Sequence, residues 1–126
     1  LRVALDMTQQ WDAVSGGKSQ LLMGCVVVRR DFAEQNPQAV SNFLEDYQAS
    51  VDSVSDLENT AALCEEYGII PSAQVAKAAI PQCNIVYLAG QEMTQQVSGY
   101  FQVLYSYNPK SVGGALPGED FYFAAS

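Results

Sequence analysis

The stretch "LLMGCVVVRRDFAEQNPQAVSNFLEDY" (residues 21–47) holds the reading that decides the fold. Its first eight residues are a continuous apolar run rich in valine. Such a run fits a strand covered on both faces. Gly24 inside it suggests a bulge or a close backbone approach. Arg29, Arg30 and Asp31 mark a change of period. Asn36-Pro37 then reads as an N-cap followed by proline in the first helical position. Val40, Phe43, Leu44, Tyr47, Val51 and Val54 recur at i, i+3, i+4, i+7, i+11 and i+14, the stripe of an amphipathic helix.

Working outward, residues 1–7 ("LRVALDM") alternate well enough for a strand, with Leu1, Val3 and Leu5 on one face. The stretch "TQQWDAVSGGKSQ" follows, with a turn signal at Ser15-Gly16-Gly17-Lys18. Ser55 and Glu58 have capping-box spacing before a second helix through Leu57, Ala61 and Tyr67, and Gly68 stops it. Ser72 is placed to cap a third helix through Val75, Ala76, Ala79 and Ile80, which Pro81 ends. The stretch "CNIVYLAG" (residues 83–90) fits either a short strand or the approach to a helix. Met93, Val97, Tyr100, Phe101 and Leu104 then give a fourth helix, broken at Asn108-Pro109. The tail is rich in glycine and proline but carries Phe121, Tyr122 and Phe123, so it is expected to dock on the core. The expected class is α+β and helix-dominated: helices near 37–54, 57–67, 72–80 and 91–106, with strands near 1–7 and 21–29.

Composition narrows the function. The chain has 126 residues and 48% apolar residues, which is one domain's worth of globular sequence. Six basic and fourteen acidic groups give a net charge of −8, which argues against a nucleic-acid partner. There is no histidine, so the commonest base near neutral pH and the commonest zinc ligand are both missing. Cys25, Cys64 and Cys83 form no CxxC pair, and no metal or cofactor is expected. Cys64 and Cys83 could pair if their helices meet, and free thiols fit the sequence equally well. No apolar run approaches the ~20 residues of a membrane-spanning helix. The chain opens on Leu1 inside a strand-like pattern and reads as a piece of a longer protein.

Candidate chemistry is sparse. Glu45-Asp46 and Glu65-Glu66 are adjacent, so each pair diverges by about 100° on a helix and does not converge on one bond. Cys25 lacks a histidine to activate it. Gly17-Lys18-Ser19 fails the phosphate-loop pattern, because the first glycine of that pattern would fall on Asp12. No catalytic residue is expected, and the chain does not read as an enzyme. Trp11, the only tryptophan, sits beside a glycine turn. It suits stacking on a small ligand and equally suits packing over a sheet end.

The order of the pieces carries a resemblance. "W-x-x-V-S-G-G", "MGCVVVRRDF", "N-P-x-x-V-x-x-F-L-x-x-Y", "Y-G-I", "A-I-P-x-C-N-I-V-Y", "G-x-E-M" and "P-K-S-V-G-G-x-L-P-G-x-D-F-Y-F" follow one another. Residues 26–32, 37–47, 79–87 and 112–123 carry the match. The series resembles the C-terminal part of the extracytoplasmic substrate-binding proteins of ABC transporters, in the nitrate, sulfonate, taurine and thiamine-precursor branch.

That resemblance implies a parent of α/β two-lobe, periplasmic-binding-protein type 2 fold. Residues 1–20 would end its second lobe, 21–30 would be a crossover strand, and 31–126 the C-terminal helical part of the first lobe. It implies capture of a small solute, anionic or sulfonate-like, for delivery to an ABC permease in the membrane. The setting would be extracytoplasmic, as a membrane-anchored lipoprotein or a periplasmic protein. Trp11, Ser15, Met23 and Gly24 fall near the cleft side of the crossover and are the candidate ligand contacts. Two alternatives stand beside it: a pyrimidine-precursor synthase-like enzyme of the same fold, and a helical protein-interaction domain. Since the apolar run would lack part of its cover in this chain, a homodimer through residues 1–30 is also expected.

Overall fold

The structure, a computed structural model, describes residues 2–123. Its six α-helices are α1 (Met7–Ser15), α2 (Arg30–Gln35), α3 (Pro37–Ser53), α4 (Leu57–Glu66), α5 (Ala73–Ala79) and α6 (Gly90–Tyr107). Short 3₁₀ turns follow at Ile80–Gln82, Pro109–Val112 and Glu119–Phe121. By its internal contacts the chain divides into two units, Leu1–Val27 with Leu88–Ser126, and Val28–Tyr87.

The expected α+β class is corrected. Among the described residues there is no strand, and the chain is helical throughout its regular structure. Residues 2–6 and 21–28 carry no regular structure, while Leu1 lies outside the described residues. The physical reason is pairing. A strand is stabilised by a neighbour that takes up its N–H and C=O groups, and even one isolated hairpin is marginal in water. Among the described residues, no hydrogen bond engages the backbone of residues 21–28. Burial fails with pairing. Met23 is 85% exposed and Val27 82%, so in this chain the run lacks the two-sided cover expected of it in the parent. The stretch "TQQWDAVSGG", where a turn but no helix was expected, supplies most of α1. Asp6 caps that helix, with its Oδ1 accepting from Thr8 N at 2.9 Å and Gln9 N at 3.2 Å.

The unit formed by Val28–Tyr87 is built from four helices in sequence. Pro37 occupies the first turn of α3, as its lack of an N–H allows. Asn36 precedes it without a side-chain cap, since its Nδ2 donates back to Phe32 O at 3.0 Å. The cap of α4 is Asp56, not Ser55: its Oδ1 accepts from Asn59 N at 3.2 Å. Gly68 follows α4 at φ 67, a conformation that glycine adopts without strain. Ile69 N then donates to Cys64 O at 2.8 Å and closes the helix end. Glu65 reaches the next helix, where its Oε2 accepts from Ala73 N at 3.1 Å. This carboxylate therefore does the work that the Ser72 side chain does not. α4 and α5 pack closely because small residues meet: Ala61 is 2% exposed and Ala76 0%, with Ile80 beside them. Val54, Leu57, Cys64, Ile70 and Ala73 surround that centre. Lys77 pairs with Glu58 on the surface.

The other unit pairs α1 with α6 and carries the tail. Phe121 meets Phe101 of α6 edge-on, with ring centroids 5.9 Å apart, and Tyr122 follows at 5.3 Å. The aromatic tail docks on its helix in this way.

Little apolar surface is lost to water. Val40, Ala61, Ala76 and Ile80 are the buried apolar residues among those described. The surface area is 9664 Å². A single globule of this mass exposes about 6,600 Å², and two separate globules of half the mass about 8,000 Å² together. The area exceeds both values, and Met23, Val27, Tyr67, Ile69 and Tyr107 are among the exposed large apolar residues.

Candidate functional site

Trp11 and Ser15 lie one turn apart on α1, so both side chains leave the same face of the helix. α1 ends at Gly16, in left-handed backbone at φ 62 and ψ 30, and the chain turns back on itself. The turn delivers Ser19 to the helix it has just left. Trp11 Nε1 donates to Ser19 Oγ at 3.1 Å. Ser15 Oγ donates to Ser19 O at 3.3 Å. Ser15 and Ser19 are both buried.

α6 closes the other side. The Tyr100 ring lies 4.8 Å from the Trp11 ring, centroid to centroid, tilted by 32°. Gly99 lets the turn approach: a Cβ there would stand 2.9 Å from Ser19 Cβ and 3.0 Å from Lys18 O. One residue further, Gln20 N donates to Gln96 Oε1 at 3.1 Å. The sequence reading did not single out Ser19, Gln96, Gly99 or Tyr100 as partners of Trp11. One signal was present. A glycine inside a helix costs about 1 kcal/mol against alanine, so Gly99 in an amphipathic stretch marks a close contact.

The four candidate ligand contacts therefore separate. Trp11 and Ser15 converge on Ser19, whereas Met23 projects into solvent and a side chain at Gly24 would meet nothing within 4 Å. Trp11 packs on a helix, not over a sheet end. Its half-buried ring leaves part of its aromatic surface exposed. Every buried side-chain nitrogen and oxygen among the described residues has a hydrogen-bond partner.

The thiols stand apart from this cluster. Cys25 and Cys83 are exposed, Cys64 is half-buried, and all three are free. Among the described residues no group of three or more His, Cys, Asp or Glu side chains is placed to hold a metal ion. No helix among them is long and apolar enough to cross a membrane.

The chain passes from one unit to the other at Val27–Val28 and returns at Tyr87–Leu88. Both crossings run through irregular backbone bounded by residues in the extended region, Arg29 at φ −69 and ψ 137 and Ala89 at φ −142 and ψ 171. Asn84 opens the return at φ 50, a left-handed value that asparagine tolerates better than most residues. Val26, Val27, Ile85 and Val86 are exposed along these crossings. Comparison with protein-family models, with curated proteins and with solved structures found no match.

Proposed function

We propose that this chain is the C-terminal part of the solute-binding component of an ABC importer. It captures a small molecule, anionic or sulfonate-like, between two lobes and hands it to a membrane permease. No covalent chemistry is involved, and the protein works outside the cytoplasm as a lipoprotein or periplasmic protein. Trp11 and Ser15 contribute to the solute site from α1, with Met23 and Gly24 on the crossing segment. Ligand binding acts by favouring the closed arrangement of the lobes over the open one.

The observation that carries this reading is the double crossing. Two β-branched segments, residues 21–28 and 84–88, join the units, and among the described residues no hydrogen bond engages the backbone of either. Water satisfies the exposed backbone of these segments, but contiguous exposed apolar side chains such as Met23, Val26, Val27, Ile85 and Val86 mark a surface that other polypeptide covers. A first half of the solute-binding protein supplies that cover. The ordered motif series from Trp11 to Phe123 supports the same reading.

The test begins with the coding sequence upstream of Leu1. A lipoprotein signal followed by a first half of comparable length supports the proposal. The longer protein is then titrated calorimetrically with taurine, an alkanesulfonate, nitrate and a pyrimidine. Saturable binding of one solute without turnover is expected. Turnover of a pyrimidine precursor without a permease, or no first half upstream, would overturn the proposal.

A further inference from the structure

We draw no further inference here: the strongest candidate, the exposed apolar segment at residues 23–28 with the free thiol of Cys25 within it, is an unpartnered face, and nothing in the structure shows what covers it.

Discussion

Trp11 and Ser19 are eight residues apart in sequence and are joined by a 3.1 Å hydrogen bond from the indole nitrogen to the serine hydroxyl. That bond turns the glycine turn back onto α1 and presses the Trp11 ring against Tyr100. It ties the local chain reversal to the contact with α6. Ser19→Ala leaves a partly buried indole N–H without its acceptor and should cost about 1–3 kcal/mol. Trp11 is the only tryptophan, so its emission reports on this spot alone. A red-shifted emission and an earlier urea midpoint are the expected outcome; unchanged values would mean that the bond is not formed in solution.

Gly99→Ala sets two effects against each other. Alanine gains about 1 kcal/mol of helix propensity in the interior of α6. Its Cβ also meets Ser19 Cβ at 2.9 Å and the Lys18 carbonyl at 3.0 Å. A backbone carbonyl cannot rotate out of the way, so the turn must move off the helix at about 1–3 kcal/mol. Net destabilisation is expected, with loss of the Trp11–Tyr100 contact, read by near-UV circular dichroism. A more stable variant would show that the turn does not sit on α6.

In the other unit the sensitive point is Ala76, which is 0% exposed against α4. Ala76→Leu adds three carbon atoms where none fit and should cost about 1–3 kcal/mol. Thermal unfolding followed at 222 nm should shift to lower temperature. Exposed Ala62, on the outer side of α4, serves as the control: Ala62→Leu should leave the midpoint nearly unchanged.

Amide hydrogen exchange should divide the chain sharply. The backbone at residues 21–28 and 84–88 is unbonded, so these amides should exchange at close to the rate of an unfolded peptide. Amides in the middle of α3 and α6 should be slower. The proposed function adds a second expectation: in the longer protein both segments become protected. Fast exchange there in the longer protein would speak against the cover that the proposal supplies.

Without such cover the isolated chain is expected to self-associate through residues 1–30, because exposed β-branched segments recruit other copies. Light scattering should give a mass that rises with concentration. Val27→Lys places a charge at a residue already 82% exposed, so it should lower the association and leave the helix content intact. A monomer at all concentrations would reject the expectation.

Much of the helical layout was legible from local rules. The stripe from Val40 to Val54 gave α3, which runs Pro37–Ser53, and the spacing from Met93 to Leu104 gave α6, which runs Gly90–Tyr107. These helices can be read locally because each turn satisfies its own backbone hydrogen bonds. The caps were less secure. Asp56 took the place expected of Ser55, since two polar residues side by side compete for the same N–H groups. α1 was missed because it is short and is followed by two glycines, whose turn signal drew the reading away from the helical spacing of Met7, Trp11 and Val14.

What the tertiary structure alone decided is the fate of residues 2–6 and 21–28 and the company that Trp11 keeps. β-branched sequence is a preference for extended backbone, not a sheet, because the stabilising bonds belong to the neighbouring strand. With no neighbour in place, the run stays irregular and is exposed from Met23 to Val28. In the same way Trp11 announces an aromatic beside a turn, but only the approach of α6, permitted by the missing Cβ of Gly99, determines that the ring meets Tyr100 and the indole meets Ser19. Sequence by itself determined α3 to α6, whose bonds are local; pairing and close approach join residues far apart in the chain, and these only the folded arrangement could set.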